Sequence, residues 1–94
     1  MGKEKTLFKS EEKRDRTSIA AFLRHLADKL EANEVVLKQG DQKLKLDIPD
    51  YLELEVEVEK EISKKKTEME LEIELKWDVK GKNGKKTGGP LTLG

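Results

Sequence analysis

Apolar residues recur along this chain in two rhythms, and the rhythms divide it into elements. Between Asp15 and Asn33 they fall at Ile19, Phe22, Leu23, Leu26 and Leu30, the spacing of one face of a helix. Asp15 suits the N-cap, with Thr17 and Ser18 as competitors, and Asn33 stands where a left-handed residue closes a C-terminus. From Val35 the period changes to two. Residues 35–39 and 42–47 flank Gly40-Asp41, a pair suited to a type II′ hairpin turn. That turn sets Leu37 opposite Leu44 and Val35 opposite Leu46 on one face, with Lys38, Lys43 and Lys45 on the other. Pro49-Asp50 then breaks the strand and turns the chain.

Two longer segments alternate strictly. In LELEVEVE the inward set is Leu52, Leu54, Val56 and Val58, and the outward set is Glu53, Glu55, Glu57 and Glu59. In EMELEIELKW the inward set is Met69, Leu71, Ile73, Leu75 and Trp77, and the outward set is Glu68, Glu70, Glu72, Glu74 and Lys76. Such alternation describes strands with one wet face, overriding the low strand preference of Glu. Ser63, Lys64, Lys65 and Lys66 make the connecting turn. Pairing Val58 with Met69 sets Glu57 against Glu70, Glu55 against Glu72 and Glu53 against Glu74.

A short strand over residues 5–9, around Leu7 and Phe8, completes the order β-α-β-β-β-β. Five strands span about 19 Å, and a helix of about 17 residues is roughly 25 Å long, so one helix covers most of one face. The expected fold class is therefore α+β: two layers, one amphipathic helix packed on a mainly antiparallel sheet of about five strands.

Composition narrows what such a domain does. The 94 residues are 34% hydrophobic and 43% charged, which leaves a small core. The absence of Cys removes disulfide scaffolds, thiol catalysis and thiolate zinc sites, and the single His removes multi-His metal sites. No apolar run approaches a membrane span, and MGKEKTLFKS has no apolar signal core, so a cytoplasmic protein is expected. Twenty basic and twenty acidic residues cancel, but unevenly. Residues 1–77 carry a net charge of −3, while residues 78–94 hold four Lys, one Asp and five Gly. One folded domain over residues 1–78 is expected, followed by a basic tail over 79–94 without fixed structure, with Leu91 and Leu93 as weak anchors.

The run TLFKSEEKRDRTSIAAFLRHLADKLEAN, a short hairpin, and then LELEVEVE and LEIELKW together resemble the amphi-Trp domain family. That family of short bacterial and archaeal proteins is named for amphipathic strands ending in a Trp, here Trp77. The resemblance covers about residues 5–78 and leaves the basic tail outside. It implies a single small domain and lends no catalytic residues.

The most unusual chemistry is the outward row of Glu. Directly opposed like charges are destabilising. The row reads either as a docking face for a basic partner or as a solvated face offset by Lys3, Lys5, Lys9, Lys43 and Lys45 on adjacent strands. A flat ribbon does not converge the six to eight or so oxygens of a tight divalent-cation site, so no metal is expected. Glycoside chemistry needs two carboxyls in unlike environments, and these are near-identical. His25 has neither a nucleophile nor an orienting partner beside it in sequence. Trp77 closes the inward face of its strand, as a rim residue or as an aromatic anchor for a partner.

The reading that follows is a non-catalytic interaction or structural module with no cofactor. A protein partner would contact Glu53, Glu55, Glu57, Glu70, Glu72, Glu74 and Trp77, and the chain would be a monomer or weak homodimer. The alternative is weak, nonspecific nucleic-acid association through Lys80, Lys82, Lys85 and Lys86 of the tail. It is disfavoured because the Glu row repels a phosphate backbone and no aromatic platform accompanies the lysines.

Overall fold

A computed structural model describes residues 2–80 and 90–94. The element order is α1 (Arg16–Glu31), β1 (Val36–Gln39), β2 (Gln42–Lys45), β3 (Glu53–Ile62) and β4 (Thr67–Lys76). The fold class is α+β. The strands form two separate two-stranded antiparallel sheets, β1–β2 and β3–β4, and not one sheet of about five. The chain divides into two compact units, Met1–Ile48 and Pro49–Gly94. Of the expected tail over 79–94, residues 81–89 lie outside the described residues.

The first unit is built from the helix outward. Asp15 caps α1, its carboxylate accepting from the backbone N–H of Ser18 at 2.8 Å. At the other end Asn33 takes φ 54°, which Asn tolerates better than most residues. The Asn33 N–H donates to the Leu30 carbonyl at 3.1 Å, and the Glu34 N–H donates to the Lys29 carbonyl at 2.8 Å. This bond pair is the Schellman closure, which satisfies carbonyls that the last turn leaves open.

The same residue then reaches across the unit. Asn33 Oδ1 accepts from the Ile48 N–H at 3.1 Å, and Asn33 Nδ2 donates to Asp47 Oδ1 at 3.4 Å. The helix end is thereby tied to the end of the first hairpin. Val35 and Ile48, flanking this tie, are the buried hydrophobic residues among those described.

The β1–β2 hairpin has the expected register, with Leu37 opposite Leu44 and Lys38 opposite Lys43. Beyond the strands the Leu46 N–H donates to the Val35 carbonyl at 2.9 Å, continuing the pairing. Gly40 has φ +56° and Asp41 does not share a positive φ, the combination a type II′ turn requires at its first central position.

The expected strand over residues 5–9 does not form. Its two apolar residues are adjacent and do not alternate, and no ladder reaches it. Phe8 instead lines a groove of the first unit, described below.

The second unit is one long hairpin of two ten-residue strands. Its turn is the expected Ser63–Lys66 run. The Ser63 N–H donates to the Lys66 carbonyl at 2.9 Å, the Ser63 hydroxyl donates to the same carbonyl at 2.9 Å, and its Oγ accepts from the Lys66 N–H at 3.2 Å. Neither Lys64 nor Lys65 adopts a positive φ. The favoured primed turns are therefore closed to them, and the Ser63 hydroxyl completes the turn.

That turn corrects the expected pairing. Val58 stands opposite Leu71, not Met69, and every Glu pair moves by two residues: Glu57 faces Glu72 and Glu55 faces Glu74, while Glu53 faces Lys76. A central pair at Lys64-Lys65 fixes this register, because residues equidistant from the turn must oppose one another. A slide of two keeps every side chain on its expected face, so the alternation alone cannot choose between the registers.

Candidate acidic docking face

The β3–β4 ladder sorts its residues into two faces. One face holds Glu53, Glu55, Glu57, Glu59 and Glu61 from β3, and Glu68, Glu70, Glu72, Glu74 and Lys76 from β4. Nine carboxylates and one ammonium thus occupy a ribbon two strands wide. Four Glu pairs stand directly opposed: Glu55–Glu74, Glu57–Glu72, Glu59–Glu70 and Glu61–Glu68. The six glutamates expected at a site, Glu53, Glu55, Glu57, Glu70, Glu72 and Glu74, all lie on this face, joined by Glu59, Glu61 and Glu68.

Among the described residues two lysines form ion pairs with glutamates of this face. Lys76 Nζ lies 3.8 Å from Glu55 Oε1, and Lys66 Nζ lies 3.5 Å from Glu68 Oε1 at the turn. Both pairs are exposed and contribute little. Lys43 and Lys45, expected on adjacent strands of the same sheet, belong to β2, whose ladder partner is β1. Lys3, Lys5 and Lys9 lie in the segment that forms no strand.

The crowding appears in the titration of the two central glutamates. The Glu57 carboxyl is raised above its ordinary range, first by a hydrogen bond with Glu59 and by that neighbour's charge, then by Glu72 and Glu55. Glu72 is raised too, first by the charge of Glu70 and a hydrogen bond with it, then by Glu59 and Glu74. Negative neighbours disfavour the charged form, so Glu57 and Glu72 hold their protons to higher pH than isolated glutamates.

Cation coordination is a different matter. Among the described residues no three His, Asp or Glu are grouped so as to hold a metal ion. Successive glutamates of one face are set along a strand, and their oxygens do not converge on a point.

Trp77 lies just past the end of β4 and is half-buried. It follows Lys76, and alternation gives it the parity of Leu75 and Ile73, away from the glutamates. It lies outside the ladder pairs that carry the glutamates. Leu91 and Leu93, the expected anchors, are exposed. Lys80 is described, whereas Lys82, Lys85 and Lys86 lie outside the described residues.

The first unit carries a feature that the alternation pattern does not announce. An open groove of about 1170 Å³ runs between α1, the segment before it and the β1–β2 hairpin. Phe8, Ile19, Phe22, Leu26, Val36 and Leu37 give it apolar walls, and among its charged residues Arg14, Lys29, Lys38, Lys43 and Lys45 outnumber Glu12 and Glu34. Exposed His25 lines it as well. Arg14 is fixed there: its Nε donates to Ser18 Oγ at 2.8 Å, its guanidinium lies 3.3 Å from Glu12, and it sits 5.8 Å from the centroid of the Phe22 ring.

Fold and face together define a small α+β protein with one strongly acidic sheet surface. The chain belongs to the Amphi-Trp domain family, whose model matches residues 1–94. The match therefore includes the basic tail, which the resemblance in sequence left outside. No curated protein and no solved structure matches the chain. Among the described residues no helix is long and apolar enough to cross a membrane.

Proposed function

We propose that the chain is a non-catalytic interaction module that docks a basic protein segment on the glutamate face of β3–β4. The observation that carries this reading is the register, which opposes four Glu pairs across one ladder. Opposed like charges cost stability in the free protein. A lysine- or arginine-bearing partner relieves that cost on binding, so the free energy of relief adds to the affinity.

The strand spacing suits an extended partner. Glutamates of one face recur every two residues, about 6.6 Å apart along a strand. A basic segment in extended conformation carries alternate side chains at the same spacing and meets the row in step. Phosphate backbones are repelled by the same face, which sets this reading above nucleic-acid association.

The test is a titration with an extended lysine/arginine-rich peptide, beside an acidic peptide of equal length. Binding of the basic peptide is expected to weaken steeply with salt and to be lost in a Glu57→Lys, Glu72→Lys double variant. Equal binding by that variant, or a preference for the acidic peptide, contradicts the proposal.

A further inference from the structure

The reverse face of the same hairpin poses a second question. Eight large apolar side chains project from it, from Leu54 opposite Leu75 to Ile62 beside the turn, and their exposures run from 36% to 73%. Water seldom covers an apolar surface of that extent in a finished assembly. An isolated two-stranded hairpin is marginal without such a face being buried. Something therefore sits on it.

We infer that the occupant is a second copy of this chain, with the apolar faces of the two β3–β4 hairpins packed against each other. Three observations support this. The first is area: at roughly 100 Å² apiece the eight side chains offer about 800 Å² per copy, the share that each partner brings to a standard interface. The second is self-complementarity. Rows of Leu, Val and Ile, set as Leu54–Leu75, Val56–Ile73 and Val58–Leu71, present one shape that a two-fold axis brings onto itself. Lys60 is the one charged residue in the ladder on this face, and its long stem lets the ammonium reach the edge of the packed layer.

The third observation is closure. The opposite face of the hairpin carries nine glutamates, so a third hairpin cannot stack behind the second without burying them. Association stops at two copies. The resulting sandwich has strands packed about 10 Å apart across a dry centre, and both glutamate faces point outward. It thus presents two docking surfaces on opposite sides, although the pairing itself does not depend on what those surfaces bind. The helix of the same chain is the competing occupant. Its stripe residues Ile19, Phe22 and Leu23 are themselves exposed, so the oligomeric state decides between the two occupants.

The test uses the full chain, which has no cysteine of its own. Sedimentation equilibrium is expected to give twice the chain mass of 10.8 kDa. Single variants Ile73→Cys and Glu72→Cys then place a thiol on either face of one strand. Mild oxidation is expected to link Ile73→Cys into a covalent dimer and to leave Glu72→Cys unlinked. A monomeric mass across the micromolar to millimolar range overturns the inference and assigns the face to the chain's own helix. Higher assemblies, or equal linkage of both variants, overturn it as well. Should Ile73→Cys fail to fold, Val56→Cys on the opposite strand serves the same comparison.

Discussion

Glu57 stands directly across the β3–β4 ladder from Glu72, and both carboxyls are raised above their ordinary range by the glutamates around them. Folding brings these charges together, and the unfolded chain lets them separate. The consequence has a definite sign. A carboxyl raised in the folded state binds protons more tightly there than in the unfolded chain. Stability therefore rises as pH falls from neutrality through the raised values towards the ordinary Glu range near 4.5, where the unfolded glutamates also take up protons. Thermal unfolding at a series of pH values, at low ionic strength, should show the melting temperature climbing on mild acidification. A melting temperature that falls over that interval means the face is compensated.

Salt should act in the same direction. Repulsion between exposed charges is screened over about 8 to 10 Å at moderate ionic strength, the distance scale of this ribbon. Raising sodium chloride from the low millimolar range to a few hundred millimolar should stabilise the protein, with the effect shrinking in a Glu72→Lys variant. In that variant the new ammonium faces Glu57 and neighbours Glu70 and Glu74. Its melting temperature should exceed that of the parent by about a degree or two, within the range expected for one surface charge pair. A lower melting temperature would show that Glu72 is already balanced by a cation.

Asn33 performs two tasks that substitution can separate. Its backbone takes φ 54°, and its side chain accepts from Ile48 and donates to Asp47. Asn33→Gly keeps the first task and loses the second, at an expected cost of about 1 kcal/mol for the bond to a part-buried N–H. Asn33→Ala loses both and should cost about 2 kcal/mol. Urea denaturation measures the difference, and equal midpoints for the two variants would show that the backbone conformation is unimportant.

A chain ending at Asp78 should retain the β3–β4 ladder. All ten register pairs of that ladder lie before this point, and Leu91 and Leu93 are exposed. Amide exchange over residues 53–62 and 67–76 should be unchanged by the truncation. Loss of protection there would make the C-terminal segment part of the folded unit, as the reach of the family match to residue 94 allows.

The parts of this fold that were legible in sequence are those fixed by local chemistry. Asp15 caps because its carboxylate serves an N–H three residues on, and Gly40 turns because it alone of the pair accepts positive φ. Both are decided within four residues. The β3–β4 faces were legible too, since alternation fixes them whatever the register. The register itself was not drawn from alternation, because a two-residue slide preserves the pattern. The turn decided it, through a Ser63 hydroxyl that stands in for a backbone bond. The expected strand at residues 5–9 required a free edge, which local sequence does not report. The Asn33 tie and the groove beside α1 are tertiary in the same sense: their partners lie about fifteen residues apart, and no periodicity marks them.

The central claim is that the glutamate ribbon is a surface for basic partners, and mapping a basic peptide onto the folded chain tests it most directly. Amide chemical shifts followed during titration with an extended lysine/arginine-rich peptide should move along β3 and β4, centred on Glu57, Glu59, Glu70 and Glu72. The same titration in high salt should abolish the shifts. Shifts confined to α1 and the groove beside it, or no saturable shifts at low ionic strength, would contradict the account. The acidic ribbon would then be a solvated face with no partner to meet.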